Sequence, residues 1–322
     1  MNYSLRNDYA AEYSEMRPAF RDTMLELAEA NRNILLMDAD LMSAVGCLPF
    51  RDRFPEQTVD CGIQEANMVG SAAGLSLVGK IPFAHSFASF ISRRCFDQSF
   101  LSGGYAQANV KLIGSDPGIT AETNGGTHVS FEDMGLMRLI PGMTVMEASD
   151  DTMFRSLLRA SAKYYGMVYL RLYRKPLARL YTEGSEFTIG ESARIREGRD
   201  VTIVSSGICT AEALKAHDML LAQGISSRVI DCYCWKPIDE PALIEAAVET
   251  GAVVTAENHN VINGLGAAVC SVLAQNSPVP VECVGIPDVF GEVGPISYLM
   301  DLYGLTAEHI KDAAIRAVMR KA

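Results

Sequence analysis

Short β-rich runs alternate with helical segments along nearly the whole chain, and this alternation restricts the fold more than any other feature. Asn33-Ile34-Leu35-Leu36-Met37, Val110-Lys111-Leu112-Ile113, Met143-Thr144-Val145-Met146 and Met167-Val168-Tyr169-Leu170-Arg171-Leu172 read as strands. Lys80-Ile81-Pro82-Phe83 opens a further extended segment. Arg21 to Asn31, Glu65 to Leu77 and Asp151 to Tyr164 read as helices between them. Such an order predicts a parallel sheet with helices on both faces. Thr182 to Asp200 then turns polar, with Gly184, Gly190 and Gly198 among many charges, and reads as a linker. Beyond it the alternation restarts, with strands at Val201 to Ser205, Ser227 to Asp231 and Ala252 to Ala256. The expected fold class is α/β, two consecutive domains, each a mostly parallel sheet flanked by helices. Residues 1–185 form the first and 186–322 the second, and 322 residues give each enough chain for its own core.

Charge and cysteine usage remove several function classes. The net charge is −11, and there is no basic stripe to track a phosphate backbone, so a nucleic-acid partner is not expected. No apolar run approaches the length that spans a bilayer. Met1 to Glu12 is polar and charged instead of leader-like, which makes a reducing cytoplasm the expected compartment. The eight cysteines lack a repeating spacing, and the close pair Cys232-Tyr233-Cys234 fits neither a zinc knuckle nor a redox motif. Glu257 and His259, two residues apart with no third ligand, make no metal site.

Three segments carry chemistry. In Asp60-Cys61-Gly62-Ile63-Gln64-Glu65-Ala66-Asn67-Met68-Val69-Gly70, running into Ser71-Ala72-Ala73-Gly74-Leu75, a lone carboxylate stands at the mouth of a helix of small residues. Position alone makes Glu65 a cap or a dipole partner. Small residues also admit a second backbone or a flat ring. Downstream, Ser86-Phe87-Ala88-Ser89-Phe90 sets two aromatics three apart, as core residues or as a cofactor wall. A carboxylate and an aromatic wall together suit a heteroaromatic cofactor that needs a proton moved on its ring. The third segment runs from Gly114-Ser115-Asp116-Pro117-Gly118-Ile119 to Asn124-Gly125-Gly126-Thr127-His128, a glycine-rich loop ending in an imidazole.

These segments together resemble the pyrimidine-binding domain of transketolases, enzymes that use thiamine diphosphate. The resemblance implies that Glu65 hydrogen-bonds the cofactor's pyrimidine nitrogen. This favours the imino tautomer that deprotonates the thiazolium to its ylid. It makes Phe90 the stacking partner of that ring, Phe87 a second wall, and His128 the group that handles protons on the donor sugar. Arg17 and Arg174 resemble the family's phosphate clamp, since guanidinium forks bind tetrahedral anions. The clamp's usual serine falls near Ser43 or Ala44. Asp40, after the strand ending in Met37, matches a family aspartate near the cofactor, and its bland reading is a turn or cap. Arg93 stands where a tyrosine near the cofactor is usual, and His85 has no assigned role.

Two departures bear on the substrate. Asp116 replaces a histidine that helps hold the sugar phosphate, and Asn124 replaces an aspartate that reads a substrate hydroxyl. A carboxylate beside a phosphate dianion is unfavourable, so Asp116 argues against an unchanged phosphate pocket. A branched or sulfonated sugar is compatible with both changes.

Ala256-Glu257-Asn258-His259-Asn260-Val261-Ile262-Asn263-Gly264-Leu265-Gly266 and Gly285-Ile286-Pro287-Asp288-Val289-Phe290-Gly291-Glu292 resemble the family's C-terminal domain, which carries no catalytic residue. The family's diphosphate-binding domain is marked by Gly-Asp-Gly, and this sequence has no such tripeptide. The resemblance therefore implies a separate diphosphate-binding subunit that also binds Mg2+, and a two-plus-two heterotetramer formed with it. The reaction expected is transfer of a two-carbon ketol unit from a ketose to an aldose bearing a terminal anion. The alternatives are the beta subunit of a 2-oxoacid dehydrogenase decarboxylase, a deoxyxylulose-phosphate synthase, and a non-catalytic relic that binds a partner.

Overall fold

The computed structural model describes residues 2–8 and 11–321. A seven-stranded sheet occupies the first half, in the order Cys234–Lys236, Thr144–Glu147, Val168–Leu172, Lys111–Ser115, Ile81–Phe87, Ile34–Asp38 and Thr58–Asp60. All neighbours run parallel except Cys234–Lys236, which pairs antiparallel with Thr144–Glu147. Ile34–Asp38, Lys111–Ser115 and Val168–Leu172 are buried at every position, which is why they read as largely apolar runs. A five-stranded sheet follows, ordered Val281–Ile286, Val253–Asn260, Val201–Ser205, Ser227–Asp231 and Ala193–Arg196. Helices connect the parallel strands in both halves.

Three elements differ from the sequence expectation. The first helix spans Met16–Ala30 and begins five residues before Arg21, because Pro18 lies in its first turn, where a backbone N–H has no helical partner to lose. The expected linker contains the strand Ala193–Arg196, antiparallel to Ser227–Asp231, with alanine and isoleucine inward and the two arginines half-exposed. Cys234–Lys236, from the second half, extends the first sheet, so the two halves share backbone pairing.

The carboxyl ends of the parallel strands gather the candidate site, as the topology of open α/β sheets favours. There, His85 bridges its neighbours: Nδ1 lies 2.6 Å from Asp38 and Nε2 lies 3.0 Å from the Ser115 hydroxyl. All three are fully buried, so this Ser-His-Asp chain ties strand ends together and offers no exposed nucleophile.

Buried polar clusters join the halves. In one, Asp231 accepts hydrogen bonds from Tyr181 (2.7 Å), Ser149 (2.8 Å) and Thr210 (3.2 Å). Burial raises its pKa from 3.8 to about 7, outweighing those donors. Because the folded chain holds this proton above the unfolded value, the stabilisation is complete below about pH 4 and is lost as pH rises through 7. Asp231 should therefore contribute a loss of about 2–3 kcal/mol between pH 5 and pH 7. Asp231→Asn removes the titration, so denaturant unfolding at the two pH values should show a flatter profile than in the parent. An unchanged slope would rule out Asp231 as its source.

Candidate active site

Glu65 is the first residue of the helix Glu65–Leu77, and its side chain is only 3% exposed. Ser86, on the neighbouring strand Ile81–Phe87, donates to Oε1 at 2.9 Å. The remaining edge of the carboxylate is taken by Arg94, whose Nη1 lies 3.1 and 3.2 Å from the two oxygens. The sequence motifs do not single out Arg94. Its signal is the i, i+4 spacing from Phe90 across a short helix, which puts both side chains on one face. The guanidinium carbon accordingly sits 3.7 Å from the Phe90 ring centroid.

Phe87 ends its strand and Phe90 follows in the helix Ala88–Arg93, with ring centroids 5.6 Å apart. His128 meets both edge-on, at 5.0 Å from Phe90 and 5.8 Å from Phe87. The half-buried imidazole carries a contact from Thr127 Oγ1 to Nδ1 at 3.0 Å, leaving Nε2 as its other edge. Arg93 does not point along the aromatic wall. Its guanidinium donates to the carbonyls of Thr127 and Val129 and pairs with Glu132, which ties the His128 loop to the helix.

Beyond Phe87 lies the anion end. The Arg174 guanidinium carbon is 4.9 Å from the Phe87 centroid, and its Nε donates to Asp116 at 2.6 Å. Asp116 is buried at φ 55°, with its second oxygen unpartnered. Arg17 and Arg174 converge on one carbonyl, that of Ala44, at 3.3 and 3.5 Å. Arg17 also pairs with Glu15, and neighbouring Lys175 pairs with Glu122. Three cations thus each face a carboxylate. Asn124 is exposed at the end of the segment Gly118–Asn124. Asp40, at φ 63°, is exposed in the turn after Ile34–Asp38, with its backbone N–H on the Asp60 carboxylate. These two are exposed, while the other sequence-predicted residues except Arg93 form one continuous line from Glu65 to Arg17.

Close approach to glycine differs between the helix after Glu65 and the loop before His128. A Cβ built on Gly70 or Gly74 meets no atom of this chain within 4 Å, so the small-residue helix face is not filled from within among the described residues. At Gly118 the approach is tight, and a Cβ there would collide with the Asn258 side chain. Asn258 accepts from the Ile119 N–H at 3.0 Å and donates to the Pro117 carbonyl at 3.2 Å, clamping the start of the loop that carries Asp116 and His128. The second half thereby positions the site without entering it. In the same segment, Glu257 accepts the Leu265 and Gly266 N–H groups at the start of the helix Leu265–Asn276. Burial raises its pKa to about 8, and burial lowers that of His259 to about 4. Among the described residues no three His, Cys, Asp or Glu side chains are grouped to hold a metal. No helix of the described residues is long and apolar enough to cross a membrane. A concavity of about 720 Å³ beside the helix Asp151–Lys163 includes none of the sequence-predicted site residues.

The chain matches two family descriptions in succession: the transketolase pyrimidine-binding domain over residues 12–179 and the transketolase C-terminal domain over residues 190–310. It belongs to the transketolase family. It is 49% identical, over 95% of both chains, to the 6-deoxy-6-sulfo-D-fructose transketolase subunit SqwH of Clostridium sp. (strain MSTE9). It is 35% identical to one of the subunits of the apulose-4-phosphate transketolase of Phocaeicola vulgatus, over 94% of this chain and 97% of that one. A solved split-gene transketolase, described as an inactive β4 tetramer, superposes with a TM-score of 0.89 at 42% identity, covering 96% of this chain and 99% of that one. The transketolase of Campylobacter jejuni shares the fold at a TM-score of 0.80 and 18% identity, and this chain spans 49% of it. The chain is thus an enzyme subunit of the split transketolase kind, and the dehydrogenase and relic alternatives are not favoured.

Proposed function

We propose that this chain works with a separate diphosphate-binding subunit, two copies of each, as a cytoplasmic transketolase for sugars with a terminal sulfonate. The observation that carries the substrate class is the Asp116–Arg174 pair. With Arg17, Arg174 and Lys175 each facing a carboxylate, the anion end has little positive charge in excess. A sulfonate carries one negative charge, whereas a phosphate monoester carries nearly two at pH 7. Beside the Asp116 carboxylate, the second charge is the unfavourable one. The 49% identity to a sulfofructose transketolase subunit supports the same reading.

The residues fit thiamine diphosphate: a buried carboxylate beside an aromatic face already accommodates a flat cation there. Glu65 would hold the pyrimidine, Phe90 and Phe87 would flank it, and Asp40 and Arg93 would lie near the cofactor without stacking on it. The partner subunit would hold the diphosphate and Mg2+. When bound, the cofactor supplies the electron sink that a carbon–carbon bond needs to break beside a ketone. His128 holds and returns the proton on the sugar hydroxyls, and its edge-on packing against both phenylalanines fixes the imidazole for this. Asn124 lies on the loop that faces the sugar, and Arg17 with Arg174 anchors the far anion. The transfer is redox-neutral: the C2–C3 bond of the ketose breaks, an aldose is released, and the ketol unit bonds to the acceptor aldehyde.

The test is reconstitution with the diphosphate-binding subunit, thiamine diphosphate and Mg2+, comparing 6-deoxy-6-sulfo-D-fructose with fructose 6-phosphate as donors. The sulfonate should give the higher kcat/KM. Asp116→Asn should raise kcat/KM for the phosphate about tenfold while changing the sulfonate less, a difference of about 1.4 kcal/mol at the transition state. Equal use of both donors by the parent, or a preference for the phosphate, would refute the sulfonate assignment.

A further inference from the structure

Arg94 has no place in the reaction just described, yet it holds two of the features expected of the cofactor's ring. Its guanidinium is flat and delocalised, stacks 3.7 Å from the Phe90 centroid, and directs N–H donors at both oxygens of Glu65. Its side chain is 46% exposed, whereas Glu65 is 3% exposed. The carboxylate is also held from behind by Ser86, so the arginine is the member of the pair that is free to leave. A ring stacked on that face of Phe90 and bonded to Glu65 needs the space the guanidinium fills.

We propose that Arg94 occupies the aminopyrimidine's place in the ligand-free chain and sets the affinity for thiamine diphosphate by competing for Glu65 and Phe90. This rests on the assignment of those two residues to the cofactor. The arrangement has a physical reason. An ionised carboxylate at this depth without a partner is strongly unfavourable, and a cation just past the end of the Phe90 helix neutralises it until the cofactor arrives. Guanidinium suits the task better than ammonium, because it stacks on an aromatic face as well as pairing. Cofactor binding then requires the state in which Arg94 has swung into solvent, and the apparent dissociation constant is raised by the rarity of that state.

The experiment measures thiamine diphosphate binding to the two-subunit enzyme by calorimetry, together with thermal unfolding of the free chain. Arg94→Met should tighten binding about tenfold, the amount expected if the displaced state is populated at about one part in ten. It should also lower the unfolding midpoint of the free chain, since Glu65 loses its counter-charge. Arg94→Lys, which keeps the ion pair and loses the stack, should fall between the two in affinity. Weaker or unchanged cofactor binding in Arg94→Met would overturn the proposal. Glu65→Gln separates the two failures. If that variant loses turnover while Arg94→Met binds the cofactor as the parent does, the competition alone is wrong. If Glu65→Gln keeps full turnover, the cofactor assignment beneath it is wrong.

Discussion

Ketol transfer should fall by at least about two to four orders of magnitude in Glu65→Gln, the range that a positioned acid–base group contributes. The substitution preserves shape and removes the carboxylate's charge together with its capacity to share a proton with a ring nitrogen. The amide oxygen still accepts from Ser86, while the amide nitrogen meets the donors of Arg94 across a half-exposed edge. That mismatch should lower stability by about 1 kcal/mol, because Arg94 can turn to solvent. Circular dichroism and the unfolding midpoint of the free chain should therefore stay near the parent while turnover of the reconstituted enzyme disappears. Full activity in a folded Glu65→Gln chain would remove Glu65 from the chemistry and leave it as a buried helix-start carboxylate.

The parts of this molecule legible in the sequence are those that local pattern determines. Val201–Ser205 and Ser227–Asp231 are found at their observed bounds because strands buried on both faces stand out as β-rich runs between helical segments. Glu65–Leu77 is bounded as expected because its small residues make one helical segment between an extended run and a Gly-Lys turn. Ala193–Arg196 escapes the same reading because its four residues alternate within a charged stretch. Its pairing comes from a strand beyond the next helix, with Ala193 opposite Asp231. Among site residues, Phe87, Phe90 and His128 stand together as the motifs imply. In the sequence Asp116 is a charge problem for a phosphate, but its pairing with Arg174, 58 positions away, is a product of the sheet and is not written in either neighbourhood. Arg94 is hidden differently. One of two adjacent arginines after an aromatic looks like surface charge until the helix turns it over Phe90.

The largest loss of stability should come from Arg171→Met. Arg171 is fully buried, with Nε donating to Asp133 at 2.8 Å and Nη1 to Glu147 at 2.6 Å and to the Asn258 carbonyl at 3.1 Å. Asp133 and Glu147 are equally buried, and they also accept from Tyr169, Tyr173 and Ser206. Burial works to raise the Asp133 pKa, and the charge and hydrogen bonds of Arg171 outweigh it, so the carboxyl titrates below its ordinary value. Methionine fills much of the volume but leaves two carboxylates without a counter-charge, which removes at least about 3–5 kcal/mol. Against a total of about 5–15 kcal/mol, that loss brings the chain close to unfolding. The sign of the pH dependence identifies the cause. Without Arg171 the burial of Asp133 is no longer outweighed, so that carboxyl binds a proton more readily when folded than when unfolded, and the variant should regain stability as pH falls from 7 towards 5. Adding Asp133→Asn and Glu147→Gln should restore most of the loss at pH 7. The effect also reaches the site, since Asp133 opens the helix Asp133–Arg138 just after the His128 loop, and Asn258 clamps that loop's other end. Amide hydrogen exchange in residues 117–132 should accelerate in Arg171→Met under conditions where the chain is still folded. A variant within about 1 kcal/mol of the parent by denaturant unfolding, with unchanged exchange in the loop, would show that the buried cluster neither stabilises the joined halves nor holds the loop.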